Sequence, residues 1–170
     1  MVLMAAPLQA ATRAARVALP RAPVVHLTPQ GERLTQRLVH ELSDNDELIF
    51  LCGRYEGIDE RVVDLEVDRE LSIGDYVLSG GELAAMVVVD AVARLLPGTL
   101  GCDASAGADS FEAGLLDHPH YTRPEVYGER EVPDVLLGGN HEAIRAWRLK
   151  EAIRRTWKRR PDLLEGATLN

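Results

Sequence analysis

Two glycine-rich loops in the middle of the sequence carry the residues best suited to chemistry. The first, residues 53–59 (GRYEGID), follows the apolar run 48–52, and the second, residues 79–82 (SGGE), follows the run 71–78. Glycine has no side chain, so backbone N–H and C=O groups can approach a ligand closely where a strand ends in such a loop. The pattern predicts that both loops are walls of one small-molecule pocket.

The elements that must position these loops predict an α/β fold. Strand-like runs and helical patterns alternate, with strands at 24–28, 48–52 and 71–78 and helices at 7–19, 34–42 and 82–96. Alternating strands and helices favour a mostly parallel sheet with helices on its faces. We assign this first domain to residues 1–101.

A different composition follows the first domain. Residues 102–117 begin with small and turn-forming residues and predict an interdomain linker. Asn140 is suited to cap a long helix that ends before Pro161, and Ala146, Leu149, Ile153 and Trp157 form an apolar stripe along it. Residues 118–170 therefore predict a smaller helical domain.

Charge is distributed unevenly along the chain. The 170 residues carry a formal net charge of −8, yet residues 141–160 hold eight Lys or Arg and two Glu, a local charge of +6. The other 150 residues therefore carry −14. A basic helix beside an acidic body favours contact with a phosphate backbone over a merely solvated helix face.

Cysteine usage and hydropathy indicate a cytoplasmic protein. Cys52 and Cys102 lie far apart, which argues against a disulfide framework and a structural zinc site. The longest apolar stretch, residues 83–89, is too short to span a bilayer. The arginines near the N-terminus follow the apolar residues, the reverse of a signal peptide, so we expect no export.

Four motifs carry a resemblance to a known family: CGRYEGIDER at 52–61, SIGDYVLSGGE at 72–82, HYTRP at 120–124 and VLLGGNH at 135–141. In this order they resemble the bacterial tRNA (guanine-N1)-methyltransferases of the TrmD type, and the resemblance covers essentially the whole chain. It implies methyl transfer from S-adenosylmethionine to N1 of the guanine just 3′ of the anticodon. It also implies a trefoil-knotted SPOUT fold and a homodimer with active sites across the subunit interface.

The family pattern also includes elements before Met1 and after Asn170, so we expect a chain truncated at both ends. The resemblance assigns Asp109, in the linker, as the base that removes the N1 proton, and Arg94 as the group that stabilises charge on guanine O6. Without the resemblance, a solvated linker aspartate and an exposed helix arginine would be the ordinary interpretations.

The resemblance assigns the remaining site residues in two sets. The methyl donor would be held by Pro29, Gly53, Tyr55, Ile73, Gly74, Asp75, Tyr76, Val77, Leu78, Gly80 and Gly81. The tRNA would be contacted by Glu56, Ser105, His120, Arg145, Arg148 and Arg154.

Metal binding is open for one pair of residues and not expected for another. Glu56 and Asp59 could serve substrate or magnesium, which the family is reported to need, or could simply cap the loop. His118 and His120 lack partners at ligand spacing in the sequence, so we expect them to contact backbone or RNA and predict no protein-held metal. His26 is expected to be structural, and Cys52 a buried small apolar residue.

Two other functions remain as alternatives. A nucleotide-dependent α/β enzyme such as a dehydrogenase is disfavoured because residues 53–57 read G-x-x-x-G and no Walker loop occurs. A non-catalytic RNA-binding or dimerising fragment would account for the missing N-terminal elements.

Overall fold

The computed structural model describes residues 1–99 and 109–165. The chain divides into two compact units, Met1–Gly101 and Cys102–Asn170. Ser105, predicted to contact tRNA, lies outside the described residues.

The first unit is built on a parallel three-stranded sheet in the order β2-β1-β3. Its elements, in chain order, are α1 (Ala5–Ala18), β1 (Val24–Arg33), α2 (Gln36–Ser43), β2 (Ile49–Cys52), α3 (Glu60–Glu66), β3 (Arg69–Ser72) and α4 (Glu82–Ala93). The predicted α/β class with a parallel sheet is confirmed, and the trefoil knot stays a prediction.

Helices cover both faces of this sheet, which explains the uninterrupted apolar start of β1. Val25 faces a core cluster that includes Leu38 of α2 and Val88 of α4. Val24 faces the opposite cluster, against which Leu8 of α1 packs. Both valines are 0% exposed, and full burial of such a side chain stabilises the fold by about 1.5–3 kcal/mol.

The middle strand is longer than the sequence predicts. We expected it to end at Thr28, but β1 continues to Arg33 through a break in register between Leu27 and Glu32. Gly31 lies within this break, where its backbone approaches the main chain of Glu70 and Leu71 so closely that no Cβ fits. The proline and glycine in this segment form a bulge in the strand and do not end it.

The third strand is shorter than predicted. It ends at Ser72 instead of Leu78 because Gly74 turns the chain with φ +148°. The Ser72 hydroxyl fixes this turn by accepting from the Gly74 N–H (3.2 Å) and donating to the Gly74 carbonyl (3.1 Å). Likewise α4 ends at Ala93, three residues before the predicted end, and Arg94 is its C-cap.

The second unit contains a small antiparallel hairpin and a long helix. Its elements are β4 (Val126–Tyr127), β5 (Arg130–Glu131), α5 (Asp134–Leu137), α6 (His141–Arg159) and a 3-10 turn (Pro161–Leu164). Asn140 caps α6 as predicted, since its side-chain oxygen accepts from the N–H groups of Glu142 and Ala143 at 3.1 Å. The hairpin and α5 were not predicted, because elements of two to four largely exposed residues leave no periodic pattern.

The apolar stripe of α6 is not its buried face. Leu149 and Trp157 are 56% and 71% exposed, whereas Ala152 and Thr156 are buried. Thr156 is accommodated because its hydroxyl donates to the Ala152 carbonyl at 2.8 Å and accepts from the Leu116 N–H at 2.8 Å. Among the helices in the described ranges, none is long and apolar enough to cross a membrane.

Candidate functional site

A cavity of about 470 Å³ opens at the carboxyl ends of the three parallel strands. It is lined by residues 28–30 of β1, the loop that follows β2 and the turn that follows β3. Open α/β sheets bind ligands at this edge because the loops there are free to present backbone groups. The two glycine-rich loops share this cavity, as their pattern predicts.

Direct contacts hold the two loops side by side. The Gly81 N–H donates to the Gly53 carbonyl at 2.9 Å, and Arg54 Nε lies 2.7 Å from Glu82 Oε1. A Cβ at Gly81 would lie 2.9 Å from the Cys52 Cα. Glycine at position 81 is therefore what allows the second loop to rest on the end of β2.

The first loop carries a backbone conformation that is rare for an aromatic residue. Tyr55 has φ +62° and its side chain is 65% exposed at the cavity. This left-handed conformation costs about 1–2 kcal/mol. The neighbouring backbone is fixed, because the Glu56 N–H donates to the Met1 carbonyl and the Gly57 N–H to the Arg54 carbonyl. Such strain is typical of segments that position a functional side chain.

Ten of the eleven residues predicted to hold the methyl donor line this one cavity. They are Pro29, Gly53, Tyr55, Ile73, Gly74, Tyr76, Val77, Leu78, Gly80 and Gly81. The eleventh, Asp75, is exposed and is not among the described residues that line it. The donor-binding role of the set stays a prediction.

The cavity also contains polar residues that the sequence analysis did not select. His26 is buried, and its Nδ1 lies 3.1 Å from Glu70 Oε1, with both residues on the cavity wall. The two residues are direct partners in the register of β1 and β3. His26 is expected to be structural, and its place on the cavity wall depends on the register of β1 and β3, which a single sequence does not reveal.

Cys52 lies next to the first loop, but its thiol does not have the properties of a nucleophile. Burial, and then the nearby Glu82 charge, raise the pKa of its thiol. A raised pKa keeps the thiol protonated, and the thiolate is the reactive form. Cys52 is partly buried, which is less burial than the sequence analysis expected.

Of the two predicted catalytic residues, Arg94 belongs to the first unit and is not among the described residues that line this cavity. Arg94 is exposed at the end of α4, where its N–H donates to the Asp90 carbonyl at 3.1 Å. Asp109 is exposed at the start of the described part of the second unit, and its carbonyl accepts from the Glu112 N–H at 3.4 Å. Their catalytic roles stay predictions.

The two carboxylates considered for magnesium have different surroundings. Glu56 is exposed and lines the cavity. Asp59 caps α3 by accepting from the Arg61 N–H, and it also pairs with the Arg61 guanidinium at 2.7 Å. For Asp59 the structure therefore shows the capping role.

The Asp59 pair makes a testable acid prediction. Hydrogen bonds from the Arg61 side chain and backbone lower the pKa of Asp59 from 3.8 to about 2. Because the folded pKa is depressed, its stabilising contribution is present above about 3.8 and is lost as the pH falls through about 2. We expect a carboxyl NMR titration to place Asp59 near 2, and Arg61→Gln to move it back toward 3.8. A wild-type value at or above 3.8 would contradict this pairing.

The predicted tRNA-contacting residues of the second unit fall on a loop and on α6. Arg145 and Arg148 are exposed on α6, and Arg154 pairs with Glu151 at 2.9 Å on the same helix. His120 lies in the loop before the hairpin, where its Nε2 is 2.7 Å from Asp117 Oδ2. The basic helix thus presents an exposed charged surface.

The carboxylate of Asp117 contacts both histidines of this loop, His118 and His120. Partial burial raises the pKa of Asp117, but hydrogen bonds from His120 and from the His118 N–H outweigh that effect and leave the pKa below its usual range. The carboxylate is therefore ionised at neutral pH. Arg155 fixes the loop to α6 by donating to the carbonyls of Asp117 and His118 at 3.1 and 3.2 Å.

A family model and individual relatives both relate this chain to the same family. Residues 1–166 match the family model described as "tRNA (Guanine-1)-methyltransferase TrmD". A tRNA (guanine-N(1)-)-methyltransferase of Halorhodospira halophila is 63% identical over 171 residues, covering 100% of this chain and 65% of the relative. Those of Alcanivorax borkumensis and Klebsiella pneumoniae are 61% and 59% identical, covering 98% and 99% of this chain and 64% and 67% of the relatives. The chain thus spans about two thirds of the length of these relatives.

Proposed function

The chain belongs to the tRNA (guanine-1)-methyltransferase family, and from this premise we propose that it transfers a methyl group from S-adenosylmethionine to N1 of the guanine just 3′ of the anticodon in tRNA. The observation that carries the proposal is that the two glycine-rich loops share a cavity at the carboxyl ends of the strands.

The cavity suits a donor of this size and chemistry. Its volume of about 470 Å³ lies within the roughly 300–1,000 Å³ that small-molecule sites occupy. Its walls combine apolar side chains such as Leu27 and Leu78 with backbone groups of the glycine loops and the carboxylates of Glu56 and Glu70. Apolar surface can hold an adenine ring, and carboxylates favour the positive sulfonium.

The chemistry divides between donor and protein. S-adenosylmethionine supplies a methyl group on a positively charged sulfur. We assign Asp109 to accept the proton from guanine N1, so that the nitrogen lone pair would form the new N–C bond while the electron pair of the broken S–C bond would remain on sulfur. We assign Arg94 to stabilise the negative charge that spreads to guanine O6. Of the carboxylates considered for magnesium, Glu56 is the better placed, because Asp59 is paired with Arg61.

Two surfaces support the proposed partners. The basic helix α6 would contact tRNA phosphates through Arg145, Arg148 and Arg154, which orients the tRNA without reading its bases. Helix α4 exposes Leu83, Met86 and Val87 with 59%, 66% and 47% of their surfaces accessible. We propose that this apolar face belongs to the homodimer interface. We also propose that the first unit has the trefoil-knotted fold and that the protein acts in the cytoplasm.

The decisive test is transfer of labelled methyl groups by the purified chain to tRNA carrying guanine or adenine next to the anticodon. We expect saturable donor binding and incorporation into the guanine transcript only. Incorporation independent of the base would refute the assigned target. Salt-sensitive tRNA binding with neither donor binding nor turnover would instead identify an RNA-binding or dimerising fragment.

Donor binding in the cavity predicts a selective effect of Tyr55→Ala. Loss of an aromatic wall worth about 0.5–1.5 kcal/mol should weaken S-adenosylmethionine binding up to about tenfold. Tyr127→Ala is the matched control, since it removes the same side chain, 82% exposed, from the hairpin of the second unit. Equilibrium dialysis with labelled donor measures both variants. Equal dissociation constants for the two would show that the donor does not contact Tyr55.

A further inference from the structure

The loop that follows the predicted base brings three metal-ligating side chains together. Asp117, His118 and His120 each offer one ligand atom, and these atoms all lie within 4.8 Å of one another. His118 Nε2 is 3.6 Å from Asp117 Oδ1, and His120 Nε2 is 2.7 Å from Asp117 Oδ2. We propose that these three residues bind a divalent transition-metal ion of the zinc type.

The ligand spacing matches this class of ion. With metal–ligand bonds of about 2.0–2.1 Å, neighbouring ligand atoms of a tetrahedral site are about 3.4 Å apart. The distance from His118 Nε2 to Asp117 Oδ1, 3.6 Å, is close to this value, and the three ligand atoms lie within 4.8 Å of one another. His120 Nε2 now contacts the other carboxylate oxygen, Oδ2, at 2.7 Å, so this ring has to shift for all three ligand atoms to reach tetrahedral spacing, and its 70% exposed side chain has room to do so.

The ring of His118 is also oriented for metal binding. Its Nδ1 lies 3.1 Å from the Pro119 carbonyl oxygen. A carbonyl only accepts, so Nδ1 donates this hydrogen bond, and Nε2, which faces Asp117, is the ring nitrogen left to bind a metal. Metal-binding histidines typically donate their second ring N–H to such an acceptor, which fixes the ring and its tautomer.

The backbone under the three ligands is anchored at several points. The Leu116 N–H donates to the buried Thr156 hydroxyl at 2.8 Å, and the Asp117 N–H donates to the Ser110 hydroxyl at 3.0 Å. Arg155 binds main-chain carbonyls and leaves the Asp117 carboxylate to the histidines. The loop therefore presents its ligands without having to be ordered by the ion, which lowers the entropic cost of binding.

The donor set selects the metal. Two imidazole nitrogens and one carboxylate favour Zn²⁺ and its transition-metal neighbours, whereas Mg²⁺ prefers oxygen ligands. Three protein ligands leave a fourth position open to water or to an oxygen of a bound molecule. The ligands of this site therefore differ from those of the magnesium site considered for Glu56, which would use a carboxylate.

The test is titration of the untagged, chelator-treated chain with Zn²⁺ by calorimetry and with Co²⁺ by visible absorption. Cys52→Ser and Cys102→Ser form the background, so that thiolates do not contribute. We expect one Zn²⁺ per chain, Co²⁺ bands of tetrahedral intensity, and no competition by excess Mg²⁺. His118→Ala and His120→Ala should each weaken Zn²⁺ binding at least about 100-fold, since loss of even an outer partner costs about 10–100-fold.

The matched control is His141→Ala, which removes an exposed histidine of the same unit outside the cluster and should leave Zn²⁺ affinity unchanged. Trp147 gives an independent local signal, because its ring centroid lies 6.5 Å from that of His118. In a Trp157→Phe background, Co²⁺ should quench the remaining tryptophan fluorescence.

Absence of saturable Zn²⁺ binding by the parent chain would overturn the proposal, and so would equal affinities of His118→Ala, His120→Ala and His141→Ala. Far-UV circular dichroism verifies that each variant is folded. Because the His120 side chain is 70% exposed, its removal in His120→Ala does not disturb the core. The readout is metal binding and not methyl transfer, so this proposal and the proposed function can fail separately.

Discussion

Asp109→Asn is expected to lower methyl transfer to tRNA by about 10²–10⁴-fold, the usual contribution of a positioned general base. Asparagine has nearly the same shape as aspartate but cannot accept the proton from guanine N1. Because Asp109 is assigned to act on the guanine and not to hold the donor, its substitution should leave S-adenosylmethionine affinity unchanged. Single-turnover transfer of labelled methyl groups measures the first effect, and equilibrium dialysis the second.

The control for this prediction is Asp134→Asn, an identical change at an exposed aspartate of the same unit. It should alter transfer by no more than about twofold, as expected for a surface position. Full activity of Asp109→Asn would remove Asp109 from the mechanism. A parallel loss of donor affinity would indicate a structural role in place of a catalytic one.

Gly31→Ala is expected to cost at least about 3 kcal/mol of unfolding free energy, the upper range for overpacking of a core. The new Cβ would lie 2.5 Å from the carbonyl carbon of Glu70, and it would also overlap the main-chain nitrogen of Leu71. Neither atom is the end of a flexible side chain, so β1 and β3 would have to separate. Denaturant unfolding monitored by circular dichroism measures the loss.

Gly53→Ala provides the matched control in the same unit. Its Cβ would meet Ile58 and His26 at ordinary distances of 3.4 and 3.5 Å, and its backbone is outside the left-handed region. Alanine at a compatible glycine position typically stabilises by about 0.4–1 kcal/mol, because the unfolded chain has fewer conformations to lose. We therefore expect Gly31→Ala to lower the unfolding free energy and Gly53→Ala to raise it. A loss below about 1 kcal/mol for Gly31→Ala would show that the strands can adjust.

Local features of the sequence determined much of the fold and the location of the cavity. Hydrophobic periodicity indicated the long helices and the buried strands, and the side chain of Asn140 was sufficient to predict where α6 begins. The glycine-rich loops 53–59 and 79–82 were identified as cavity walls from their composition and from the apolar runs that precede them. These predictions succeed because capping, turn formation and strand burial depend on residues adjacent in the chain.

Only the tertiary structure decided the contacts between residues distant in sequence. The continuation of β1 past Gly31 depends on how its backbone pairs with β3, and the same register places His26 opposite Glu70. The buried face of α6 was decided by Thr156, whose hydroxyl meets the Leu116 backbone forty residues away. Strand register and side-chain burial are set by packing between separate segments, and a single sequence does not state which segments meet.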